Sequence, residues 1–165
     1  SIGGMLFGES SADHADIGTG TLFLYAKTKG ELLLMVQNSL YADALDRGRA
    51  GAAEEDEPVA ALMALLRPIV ECNRSHAENG RVYLREMAFG DSFDQHRATA
   101  LRIAGETVVR TGLASPDAAQ ALAGLIEGRM FLAMAGSGPD VPTEDVVRLV
   151  ARSVEVLVAR ARPLG

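Results

Sequence analysis

The sequence predicts an all-α protein, and three observations predict it. Apolar residues recur at i, i+3, i+4 and i+7 in one segment after another, and no stretch alternates as a half-buried strand would. Start and stop signals bound those segments: Thr, Ser or an acid before them, Pro in the first turn, Gly after the last. Hydrophobic residues make up 48% of the chain but aromatics only 5%, an Ala- and Leu-rich balance that suits helices better than sheets. At 165 residues the chain can bury a real core, either as one domain or as a small domain joined to a larger one.

The stretch Ile17 to Leu32 reads as a very short helix, a tight turn and the capped start of a longer helix. Thr28 and Glu31 have capping-box spacing: the hydroxyl takes the amide three residues on and the carboxylate reaches back. Leu32, Leu33, Val36, Leu40 and Ala44 then carry the helix to about Leu45. Ahead of the cap, Gly18 and Gly20 let the backbone approach a surface closely, and Thr19 and Thr21 supply hydroxyls there. Tyr25, Lys27 and Lys29 add a hydroxyl and two cations, a set suited to phosphate oxygens.

Arg47 to Gly51 and the acids Glu54 to Glu57 read as a polar joint. The acids precede Pro58, so they complement the positive end of the next helix, and Pro suits its first turn. That helix carries Val59, Leu62, Met63, Leu66, Ile69 and Val70 on its apolar face and is expected to reach Asn79-Gly80, with a kink at Pro68. A kink opens a gap in an apolar bundle. Arg81 to Phe89 forms a short helix stopped by Gly90; Asp91 or Ser92 caps the next, with Phe93, Ala100, Leu101, Ala104 and Val108 inward and Gly112 as the stop. Ser115-Pro116-Asp117 starts a helix that runs through Leu122, Leu125, Ile126, Met130, Phe131 and Met134 to the break at Gly136-Ser137-Gly138-Pro139. Thr143 caps the last helix, with Glu144 and Asp145 in its first turn.

The segment Gly20-Thr21-Leu22-Phe23, with Tyr25, Thr28, Lys29 and Leu32 following at fixed spacing, resembles the second half of the helix-turn-helix of TetR-family transcriptional regulators. Phe23 stands where that family usually has Tyr, and Ala26 where it usually has Phe. The resemblance implies a DNA-binding helix-turn-helix domain over 1–46 and a helical ligand-binding and dimerisation domain over 47–165. It puts Gly18, Thr19, Gly20, Thr21, Tyr25, Lys27 and Lys29 at double-stranded operator DNA. Met5 to Glu9 and Ala12 to Asp16 then read as the ends of the two preceding helices. The space near Ser10 and Ser11 is too short for what should join them, so residues are expected to be missing there.

In the last helix Asp145, Arg148, Arg152 and Glu155 form a narrow polar stripe, and valines and leucines cover the rest. Such a helix is buried on more than one side. Its neighbour carries small residues along one face. Ala121, Gly124 and Gly128 with Val150, Val154 and Leu157 are therefore the expected homodimer interface, as the resemblance also implies. Met63, Leu66, Ile69, Asn73, Met87, Phe93 and Met130, around the kink, are the expected site for a small hydrophobic effector.

Composition narrows the function further. A net charge of −6 argues against a protein that coats nucleic acid nonspecifically, but leaves room for a local DNA-reading surface. No segment is long and apolar enough to span a membrane. The single cysteine excludes an internal disulfide and fits a cytoplasmic setting. Cys72 and His76, one turn apart, lack the further ligands that zinc needs and the oxyanion loop that a nucleophile needs. No metal, cofactor or enzymatic activity is expected. The expected function is a ligand-responsive DNA-binding regulator, a repressor that releases a palindromic operator when the effector binds. The alternative is a helical small-molecule-binding or assembly module without DNA-binding activity.

Overall fold

The computed structural model describes residues 29–75 and 80–161, which form six α-helices and one 3-10 turn, with no strand among them. The helices are α1 (Lys29–Ala53), α2 (Pro58–Arg74), α3 (Gly80–Phe89), α4 (Asp94–Arg110), α5 (Pro116–Ala135) and α6 (Thr143–Ala161); the 3-10 turn, Asp91–Phe93, leads into α4. The chain is all-α, as its periodicity predicts. It divides into two compact units, Ser1–Leu40 and Tyr41–Gly165, with the boundary inside α1. The described part of the first unit is the opening of α1, where Leu32 and Gln37 are buried and Lys29 and Glu31 are exposed.

In the second unit α1 turns Tyr41, Ala44, Leu45, Gly48 and Ala52 inward, a stripe of helical spacing. The helix was expected to stop near Leu45. Instead it runs through Arg47 to Gly51, and the joint shrinks to the residues around Glu54 to Glu57. The two glycines explain the difference. A Cβ on Gly48 would sit 2.7 Å from the carbonyl oxygen of Leu65 and 3.1 Å from its Cα, and one on Gly51 would lie 3.4 Å from the Ala64 Cβ. Their lack of side chains lets α1 lie close against α2. This packing outweighs the roughly 1 kcal/mol that each glycine costs in a helix.

Glu57 caps α2, accepting from the Ala60 amide at 2.8 Å, and Pro58 stands in the first turn as expected. Pro68 lies inside α2 without ending it, and Leu65, Leu66, Ile69 and Val70 beside it are all buried. The helix ends at Arg74 with Ser75 as its cap; the expected end at Asn79-Gly80 falls largely outside the described residues. α2 touches α3, α4, α5 and α6, so it forms the axis of the bundle; α4 packs along α5, and α5 along α6. Ala52, Leu65, Ile103, Ala104 and Ala123 form a core knot from α1, α2, α4 and α5 in which small residues hold the helices close.

The ends of the helices are closed by backbone geometry and by arginines. After α4, Gly112 takes φ +73°, and the amides of Leu113 and Gly112 donate to Val108 and Val109 at 2.9 and 3.0 Å, a Schellman motif with Leu113 buried behind it. Arg110 donates to the carbonyls of Ala52 and Glu55 at 2.7 and 2.9 Å, closing α1. Arg97 donates to Met87 and Gly90 carbonyls, both at 2.9 Å, closing α3. Arg74 donates to the carbonyls of Ser137, Gly138 and Val141 after α5. Thr143 is the first residue of α6 rather than its cap, because the amides of Asp145 and Val146 reach the carbonyl of Pro142. Arg67 pairs with Glu144 at 2.7 Å and ties α2 to α6.

Candidate functional site

The most conspicuous surface is the outer side of α5 and α6. On α5, Ala121, Gly124 and Gly128 are exposed, and a Cβ on either glycine would meet nothing within 4 Å. Leu125 stands between the glycines, exposed at 58% of its accessible area, and Leu132 lies one turn beyond Gly128, exposed at 62%. On α6 the outward apolar residues are Leu149 and Val156, with Leu157 half-buried. Arg129, Arg152, Ser153, Val156 and Leu157 line a shallow recess of about 270 Å³ there, and Arg129 donates to the Ser153 hydroxyl at 3.3 Å.

Val150 and Val154 need correction. Each is only 1% exposed within the single chain. They belong with Val146, Val147 and Val158 to the stripe that α6 turns toward its own bundle, so they are not available to a partner. The sequence made α6 look apolar all round. The inward face is the β-branched one, and the leucines and Val156 fall outside it.

Of the residues expected to meet an effector, Leu66, Ile69, Asn73, Met87, Phe93 and Met130 are all buried, and Met63 is half-buried. Asn73 and Met87 meet directly, Nδ2 to Sδ at 3.8 Å. These side chains act as core packing. A wider recess lies elsewhere: a groove of about 520 Å³ between α3 and α5, lined by Leu84, Ala88, Phe131 and Ala135 and edged by the exposed Phe89 and Leu132. Arg81 and Arg85 stand on the α3 side of it. A second, much smaller recess of about 30 Å³ shares Arg81 and Leu84 with the groove and is completed by Asn73, Arg74, Met134, Ser137 and Pro139.

Sequence reasoning also missed a buried polar cluster around Tyr41. Its ring packs tilted against Phe93 at 6.1 Å between centroids and edge-on to His96 at 5.6 Å. Burial, with the Glu127 carboxylate adding to it, pushes the Tyr41 hydroxyl well above the usual tyrosine range; Arg97 acts in the opposite direction. Glu127 itself is pushed up to about 7 by burial, and its Oε1 is buried with no hydrogen-bond partner among the described residues. Its place was readable: Glu127 lies on the arc of α5 that carries Ala119, Ala123, Ile126, Met130 and Met134 inward.

Gly18, Thr19, Gly20, Thr21, Tyr25 and Lys27 lie outside the described residues, as does His76; Lys29 is the exposed first residue of α1. Cys72 is buried and in no disulfide, and no group of three metal-ligating side chains occurs among the described residues. No described helix is long and apolar enough to cross a membrane. The chain has no significant match among protein-family models, curated proteins or solved structures.

Proposed function

We propose that this chain is a subunit of a homodimeric, ligand-responsive DNA-binding regulator of the TetR kind, a repressor that leaves a palindromic operator when a small effector binds. The observation that carries the reading is the outer face of α5 and α6. Two glycines with open space above them, flanked by Leu125, Leu149 and Val156, suit close approach of a second copy about a two-fold axis. A palindrome requires such a pair of reading heads. The motif from Gly20 to Leu32 supports the DNA contact, and the exposed Lys29 at the start of α1 has the charge and position for a phosphate.

Sedimentation and DNA titration test the two halves together. The wild type sediments as a dimer, and Gly128→Glu, which touches nothing in its own bundle, yields a folded monomer. Lys29→Ala weakens binding to all DNA sequences alike and lowers the salt slope by about one. A monomeric wild type refutes the pairing. A dimer with no DNA affinity at low salt instead makes this a ligand-binding or assembly module.

A further inference from the structure

We propose that the groove between α3 and α5 binds a small amphiphile with a carboxylate head, its apolar body along Leu84, Phe89, Phe131 and Leu132 and its head at the Arg81 end. The proposal deepens the regulatory reading above by naming an effector class. It rests on that reading for the consequence of binding, but not for binding itself.

Size and lining fix the body of the ligand. A volume of about 520 Å³ lies in the range of small-molecule sites. Phe89 at 82% exposed and Leu132 at 62% leave large apolar side chains in water at the groove's edge, and an apolar chain laid between them would shield both. Charge fixes the head. Arg81 and Arg85 are exposed and form no ion pair among the described residues, so both guanidinium groups are free to meet an anion.

The small recess decides which end takes it. Arg81 and Leu84 line both spaces, so the recess lies beside the groove at its Arg81 end. Within it Arg74 directs its terminal nitrogens to the carbonyls of Ser137, Gly138 and Val141, while its Nε is buried and has no partner. Among the described residues that guanidinium meets neutral carbonyls only, so its charge is not cancelled and the Arg81 end of the groove is the more positive one. A carboxylate oxygen at that end is attracted by Arg81 and, at longer range, by Arg74. The recess, about 30 Å³, has room for such an oxygen but not for a bulky head. A quaternary ammonium head is opposed by both arginines.

Decanoate, used as monomer, is the probe, with decanol as the neutral control of equal chain length. Calorimetry on the full chain without DNA should show decanoate binding one site, and decanol binding at least tenfold more weakly. Arg81→Met, at an exposed position, should cost decanoate about tenfold or more and leave decanol unchanged. Arg85→Met should cost decanoate less. Ala88→Trp, which fills the groove, should remove binding of both. Equal affinity for decanoate and decanol, a larger loss from Arg85→Met than from Arg81→Met, or no binding by the wild type overturns the proposal. So does adsorption to anionic phosphatidylglycerol vesicles without binding of monomeric decanoate. If decanoate binds in this way yet leaves DNA affinity unaltered, the site stands and the regulatory reading fails.

Discussion

Replacing Glu127 with Gln should stabilise the protein, and only at neutral and alkaline pH. Burial raises the carboxyl from its ordinary 4.5 up to about 7, and a tenfold change in proton affinity is worth about 1.4 kcal/mol. The full shift would be worth about 3 kcal/mol; residual solvent contact reduces this to about 2–3 kcal/mol. The sign follows from proton counts. Between pH 4.5 and about 7 the folded protein holds a proton that the unfolded chain has released, so stability falls as pH rises through that window. Below pH 4.5 both states are protonated and no difference arises. Gln keeps the shape and cannot ionise. Thermal melts at fixed protein concentration should therefore coincide for the two proteins near pH 4.5. At pH 8 they should separate by about 5–10 °C in favour of Gln. Parallel pH profiles would show that the carboxylate reaches water and that its buried Oε1 is no burden.

Two other changes test the packing. Gly48→Val drives a branched side chain into the backbone of Leu65, 2.7 Å from where its Cβ would sit, and should destabilise by about 1–3 kcal/mol in denaturant titrations. Val154→Ala opens a cavity inside the chain and should cost about 1–3 kcal/mol. It should not change the sedimenting species, because the side chain does not reach the outer face.

Every described helix was legible in the sequence, because caps and stops are local. Glu57 and Pro58 open α2, Gly90 follows α3, and Gly112 closes α4 through a backbone conformation that only glycine adopts cheaply. What was not legible depended on neighbours. Gly48 and Gly51 look like helix breakers until α2 lies beside them, and then they are what permits the contact. Val150 and Leu149 are equally apolar as letters; only the bundle decides that one faces in and the other out. The α3–α5 groove was missed for the same reason. Arg81, Arg85 and Phe89 share one side of a short helix, a pattern that reads as an ordinary surface until the wall from α5 completes it. Ala121, Gly124 and Gly128 share one exposed face, and an i, i+3, i+7 stripe on one helix can be read without knowledge of its neighbours.

The three arginines that close helix ends have a consequence for how this chain can change over time. Arg74, Arg97 and Arg110 all grip peptide carbonyls, a feature every residue type carries, and only Arg110 adds a loose pairing, at 3.9 Å, with a side chain of the turn it restrains, the exposed Asp56. The turns after α1, α3 and α5 can therefore drift in sequence and still be held, so long as their backbone path is kept. The arginines have no such freedom. A lysine offers one compact ammonium where Arg74 spreads two terminal nitrogens over three carbonyls. Variation in related chains is thus expected to accumulate in the turns and to spare the distant cations that anchor them.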